Sequence, residues 1–413
     1  MILKRTFLPL LTALLVLVGA GCIKNGNPTG NNWSNVRPIT VTDTLDMIAG
    51  YSFAGSAKIT GTEPSLLCGN YEGIESVAFM RFTGLPDPGT FHIPAAYADS
   101  TFLTLTLTRR SAPQGDPINF TIYKLDQTWA ADSTGIIHTE QIQDANLIQI
   151  SDINLPIPDS ISTMGTEIRI PIPIDAIESW QTPADSLGLT LAIRTMNGFW
   201  MEAMSLETGR GPQLRFLYRL DDTENTDDSN YEQRPTRDSY RVDEDAAPLL
   251  TNRWIVNNIT PSRIYMNFAI DNAWFKDMQG NVMDSLSRRR TTINQARLVL
   301  YVKNNPYYTG GNTYKLRADR LNDSLDVTLP VEIADSRLAS GIETAQLVSG
   351  DSLVVDITPI IQAYSSGDKV PYGIVIRSLQ ELINYGRIEF WHFEDAPPDK
   401  RPKLRLTYTP PFL

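Results

Sequence analysis

The sequence predicts an all-β protein, with two tandem antiparallel β-sandwich (jelly-roll-like) domains behind a signal peptide and a flexible tether. Three observations predict it. Short apolar runs, many with period-2 alternation, recur along the chain and are bounded by Gly, Pro, Asn and Asp. Long helical stripes are nearly absent, so the strands connect without crossover helices, as antiparallel sandwiches do. Blocks of the first half also return in the second, which makes the strands a duplicated set.

Length and composition set the bounds. A chain of 413 residues exceeds one ordinary domain. Hydrophobic residues at 42% and charged residues at 20% are normal globular values and exclude a wholly disordered chain. The 36 Lys and Arg against 47 Asp and Glu leave a net charge of −11. Such a chain is a poor general binder of nucleic acid, whose phosphates demand clustered cations. Two cysteines and three histidines leave little material for metal or thiol chemistry, so no cofactor or metal is expected.

The first element is a leader. Lys4 and Arg5 form a positive start, and Phe7 to Val18 an apolar stretch too short for a stable spanning helix. Small residues Gly19-Ala20-Gly21 then precede Cys22. This junction resembles a bacterial lipobox, with Gly19 where Leu is common. The resemblance implies cleavage after residue 21 and lipidation of Cys22, whose acyl chains would hold the protein on a bilayer. Ile23 follows instead of the Asp that retains lipoproteins in the inner membrane. The expected location is therefore the outer membrane or cell surface, with the periplasmic face as the alternative. Residues 22–44 are the lipidated Cys and tether, and the Asn- and Gly-rich stretch 23–36 would reach roughly 20 Å as a flexible coil.

Residues 45–220 form the first expected sandwich. Its strands include Val77 to Phe82, Phe102 to Leu107, Asn119 to Tyr123 and Leu187 to Ile193. Residues 221–249 read as an acidic linker, since Asp221 to Asn230 carry carboxylates and no apolar anchor. The run lacks the sixth-position Gly and closing Glu of a calcium loop. Residues 250–413 form the second sandwich, with strands at Ala296 to Val302, Tyr372 to Arg377 and Lys403 to Tyr408.

The duplication is read from aligned blocks. Ile174 to Trp180, Leu187 to Leu191 and Gly211 to Tyr218 return as Thr358 to Tyr364, Tyr372 to Ile376 and Arg401 to Tyr408. The offset is 184 residues at Trp180 and Tyr364, and 190 at Pro212 and Pro402. Ser76 to Phe82 aligns with Arg263 to Phe268. The block order resembles the DNRLRE-type domain: a strand ending Met80-Arg81-Phe82, Ala296 to Tyr301, Leu125 with Trp129, Val355-Asp356-Ile357-Thr358, Tyr372-Gly373-Ile374 and Arg401-Pro402 to Tyr408. That family is a β-sandwich of secreted and surface proteins and includes polysaccharide-binding modules. The first copy departs from it at Ile170 to Pro173.

The search for catalytic motifs yields none: no nucleophile elbow, zinc-binding helix, phosphate loop or dinucleotide fingerprint. His92, His138 and His392 lie in separate segments without ligand spacing. Sugar binding needs exposed rings beside polar groups. Trp129 and Trp180 fall within repeat motifs and are assigned to the core. The candidate binding residues are Tyr307 and Tyr308 in a loop between strands, Trp274, Trp391, and the basic run Arg288, Arg289 and Arg290. The expected function is non-catalytic polysaccharide binding by a lipid-anchored envelope protein. The rival is a structural spacer, or a docking element for an envelope protein partner.

Overall fold

The computed structural model describes residues 37–411, less 56–58, 60, 88, 112–116, 128, 130–137, 158–159, 180–187, 197, 222–226, 245–252, 306–312, 326–333, 340–342 and 348–350. The chain is mostly strand. It forms two antiparallel assemblies, each with a hydrophobic core of its own.

Two strands open the described chain, β1 (Ile39–Thr44) and β2 (Asp46–Ala54). Sandwich one follows as β3 (Ser65–Tyr71), β4 (Ile74–Phe82), β5 (Phe91–His92), β6 (Phe102–Arg110), β7 (Ile118–Leu125), β8 (Leu147–Leu155), β9 (Thr166–Pro171), helix α1 (Ile174–Glu178), β10 (Leu189–Thr195), β11 (Trp200–Met204) and β12 (Gln213–Leu220). A second strand pair comes next, β13 (Ser229–Gln233) and β14 (Arg237–Glu244). Sandwich two then contains β15 (Trp254–Asn257), β16 (Ser262–Ala269), helix α2 (Ser285–Arg289), β17 (Thr292–Asn304) and β18 (Thr313–Leu321). It closes with β19 (Leu338–Ala339), β20 (Glu343–Leu347), β21 (Ser352–Asp356), helix α3 (Thr358–Ser366), β22 (Ile374–Ser378), β23 (Arg387–Phe390) and β24 (Lys403–Thr409).

Alternation explains the strands. In β24, Leu404, Leu406 and Tyr408 are buried while Arg405 between them is exposed. In β6, Leu103, Leu105 and Leu107 point into core one. Close backbone approach is visible at Gly188, whose φ is +89 and where an added Cβ would lie 2.1 Å from the Phe82 carbonyl oxygen. Gly373 makes a similar close approach: its φ is +115, and an added Cβ would lie 2.8 Å from the Met266 carbonyl oxygen. The two sheets superpose by pairing, with Ile193 of β10 facing Ala78 as Ile376 of β22 faces Ile264, which moves this strand two residues from the Leu191–Ile376 match of the sequence blocks. This alignment equates Met80 with Met266 and Phe82 with Phe268.

The tether and linker are shorter than the sequence suggests, because part of each is strand. Ile39–Thr44 pairs along β24, with Ile39 opposite Tyr408 and Thr44 opposite Lys403. Ser229–Gln233 pairs with β12, and Arg237–Glu244 with β4. Alternation is weak in these segments, and their polar residues outnumber the apolar ones. Composition therefore reads them as solvated chain, and only pairing to an existing sheet edge makes them strands.

These two segments are equivalent arms, and they are exchanged. The arm that precedes sandwich one in the chain (β1 and β2) pairs with β24 and β16 of sandwich two. The arm that precedes sandwich two (β13 and β14) pairs with β12 and β4 of sandwich one. Side-chain chemistry fits this exchange. Arg241 of β14 lies opposite Val77, is buried, and donates to the Ile142 carbonyl and to Asp144 and Asp243. At the matching rung of sandwich two, Phe53 of the arm lies opposite Arg263 of the sheet. Arg263 is fully buried and held by Glu381 (2.7 Å) and Asp335. Unexchanged arms in the same registers would set Arg241 against Arg263, two buried like charges. They would also place Asp238 where Gly50 leaves room for the Trp254 ring, since a Cβ there meets that ring at 2.7 Å.

The sandwiches also share a seam. Trp200, Tyr240 and Tyr385 are buried together with Leu67 and Ile259, and the Trp200 and Tyr385 rings are 5.1 Å apart. The Tyr240 hydroxyl donates to the Leu382 carbonyl at 2.5 Å, the Tyr385 N–H donates to Glu202 at 3.0 Å, and the Tyr385 hydroxyl meets Ser76.

Candidate functional site

The most promising surface lies at the end of β17 distant from its first residue. Leu298 and Leu300 of that strand enter the core, so alternation turns Tyr301 and Lys303 progressively outward. β23 runs beside it through Phe390 opposite Val302, and the Trp391 N–H donates to the Tyr301 carbonyl at 2.9 Å. Trp391 and Tyr301 are thus neighbours, and both are half-buried. Lysines flank both rings. Lys303 lies 5.3 Å from the Trp391 centroid, while Lys400 and Lys403 lie 5.2 and 5.5 Å from that of Tyr301.

Carboxylates hold two of these amines in place. Glu389 is buried and takes Arg253 at 3.0 Å and Lys303 at 3.1 Å. Burial alone would raise its pKa, but the two cations outweigh that and hold the carboxyl below the usual range. Asp351 pairs with Lys400, which raises the lysine pKa and lowers that of the aspartate. The result is two rings with apolar faces, rimmed by oriented N–H donors. A sugar has the matching surfaces, a C–H face and a ring of hydroxyls.

Sandwich one lacks this arrangement. Leu103 pairs with Leu214 as Leu298 pairs with Leu404, so Thr106 holds the place of Tyr301. Ala203 faces Leu107 as Phe390 faces Val302, which puts Met204 where Trp391 stands. The duplication has therefore kept the scaffold and left one candidate surface.

Of the residues singled out by sequence, Trp391 belongs to this surface. Tyr307 and Tyr308 lie outside the described residues, as does Cys22. Trp274 and Arg288 to Arg290 are elsewhere: Arg290 stands two residues before β17 begins, and Lys303 is roughly 35 Å along that strand from its first residue. Trp274 is half-buried and packs against core two. Sequence reasoning missed Tyr301, Lys303, Lys400 and Lys403. The alternation of Leu298 and Leu300 with Tyr301 and Lys303 was the available signal, but the run read as core strand.

The remaining reactive groups have structural partners. Cys68 is buried and donates to the Ile193 carbonyl at 3.1 Å; burial pushes its thiol up to about 12, so it is protonated. Exposed His92 pairs with Asp221 at 2.6 Å, and buried His392 meets the Gly50 carbonyl at 3.0 Å. Among the described residues no group of three His, Cys, Asp or Glu is placed to hold a metal, and no helix is long and apolar enough to cross a membrane. Neither the protein-family models nor the curated proteins contain a match to this chain.

Proposed function

We propose that the chain is a lipid-anchored envelope protein that binds polysaccharide, without catalysis, on the Tyr301, Lys303, Trp391, Lys400 and Lys403 surface of sandwich two. The observation that carries this reading is the pair of adjacent half-exposed rings with lysines over them. The lipobox-like junction at Cys22 supports the anchor, and the resemblance to DNRLRE-type modules supports the ligand class. One site per chain is expected, because Thr106 and Met204 take the place of the rings in sandwich one.

Affinity electrophoresis of the chain from Asn25 to Leu413 in gels of neutral and uronate polysaccharides tests it. One polymer should retard the protein. Tyr301→Ala/Trp391→Ala should weaken that retardation by ~10-fold or more, since each stacked ring contributes ~0.5–1.5 kcal/mol. The variant should still melt cooperatively. Retardation by no polymer would leave the second reading, a spacer or docking element of an envelope assembly. The exchanged arms favour that reading independently, because they tie two sandwiches together through strand pairing.

A further inference from the structure

Exposed large apolar side chains are unevenly distributed. Of nine among the described residues, four belong to one end of sandwich two: Met278 (44%), Val282 (57%), Leu286 (61%) and Val370 (55%). The backbone gathers them. Val282 bridges to Lys276, Leu286 lies on α2, and Arg289 of the same helix lies over Gly367, three residues before Val370. Lys276, Arg289, Arg290 and Lys369 are exposed between them. Four charged acids stand at this end too, each tied to its own loop: Asp271 accepts from Ala273 N at 2.8 Å, Asp277 from Asn281 N at 2.8 Å, Asp284 from Ser287 N at 2.7 Å, and Asp368 from the Ser366 hydroxyl at 2.7 Å. An apolar cluster ringed by cations is unusual on a chain of net charge −11.

This is also the end where the chain enters the fold. Ile39, the first residue of β1, faces Tyr408, which faces Ile293 on its other side. The Tyr408 hydroxyl accepts from Lys276 N at 2.6 Å, and its ring lies 5.3 Å from Phe275. Only residues 23–36 separate Cys22 from the described chain, a span of at most ~50 Å even when fully extended.

We propose that this end of sandwich two docks on an anionic bilayer surface. Met278, Val282, Leu286 and Val370 enter the headgroup layer, and Lys276, Arg289, Arg290 and Lys369 pair with lipid phosphates. The proposal rests on the lipid-anchor reading and adds an orientation to it. A lipid anchor alone leaves the fold free to tumble, whereas a second, electrostatic contact fixes one face down. The Tyr301 and Trp391 surface, at the other end of β17, then points away from the membrane.

The test uses the Asn25–Leu413 chain, which contains every described element and lacks Cys22. An environment-sensitive dye is placed on Val282→Cys or, as a control at the far end, on Arg401→Cys; Cys68 is buried and does not compete. Each is titrated with equimolar phosphatidylglycerol and phosphatidylcholine vesicles, and with phosphatidylcholine alone. Emission should rise at position 282 only, and with the anionic vesicles only. The lipid needed for half the change should increase by at least ~10-fold in Arg289→Gln/Arg290→Gln. No change with either vesicle, or equal change at both positions, would overturn the proposal. So would a dimer by light scattering that shields position 282 without lipid. None of these outcomes touches the anchor itself, which is tested separately by whether Cys22→Ala releases the protein from cell membranes.

Discussion

Asp238 shows how one side chain reports its surroundings. It is 2% exposed on β14, opposite Met80, and accepts from the Leu206 N–H at 2.7 Å. Burial, with smaller contributions from Glu207 and Glu63, pushes its pKa up from 3.8 to about 7. A raised folded-state value means that the folded protein holds a proton which the unfolded chain releases. The stabilisation is therefore full below about pH 4 and is lost as pH rises through 7. Asp238→Asn keeps the carbonyl that accepts from Leu206 and removes the titration. The stability of the variant relative to the parent should rise by ~1.4 kcal/mol per pH unit between 4 and 7, and then level off. Denaturant melts at pH 4, 6 and 8 measure this; a difference independent of pH would show that Asp238 ionises normally.

The arms are matched to their sheets one rung at a time. Gly50 is the most testable rung, because the Trp254 ring fills the space of a side chain there. Gly50→Ala should cost ~1–3 kcal/mol by overpacking, through strain on a fully buried indole. The equivalent rung in sandwich one already carries Asp238, so that sheet accommodates a side chain at this point. Chemical denaturation with near-ultraviolet circular dichroism would report both the loss and any movement of Trp254. An unchanged midpoint would mean that β2 does not occupy this position. Ser239, Tyr240 and Arg241 match Tyr51, Ser52 and Phe53 in pairing, yet not in chemistry. Each arm is complementary to the other copy's strand, so the two arms have diverged from each other.

At the scale of the whole molecule, the exchange makes two sandwiches one folding unit. Each half of the chain carries the wrong arm for its own sandwich. Separately produced halves, residues 37–224 and 225–413, should therefore fold poorly alone. Mixed, they should recover a one-to-one complex with a single cooperative melt, the intermolecular form of the same strand exchange. Size-exclusion chromatography with light scattering distinguishes the outcomes. Two independently folded monomers would refute mutual dependence. A fixed pair of sandwiches also gives the protein ends: sandwich two has the apolar and cationic patch at one end of β17 and the Tyr301 and Trp391 surface at the other.

By itself the sequence determined the strand content, the duplication and the two cores. These depend on local alternation and on block repetition, both of which survive in a linear reading. Gly188 and Gly373 were legible for the same reason, as small residues inside otherwise continuous strands. The arms were not legible. Ile39–Thr44 and Ser229–Gln233 lack a strong apolar pattern, and their strand state is imposed by the edges they complete. The candidate surface was half legible: Trp391 stood out as a rare residue, while Tyr301, Lys303, Lys400 and Lys403 come from strand β17 and the turn and strand of β24, a hundred residues apart. Only the tertiary structure decided which arm closes which sandwich. That choice depends on the burial of Arg241 and Arg263 and on the Trp254 ring at Gly50, and contacts between distant segments have no signature in local sequence.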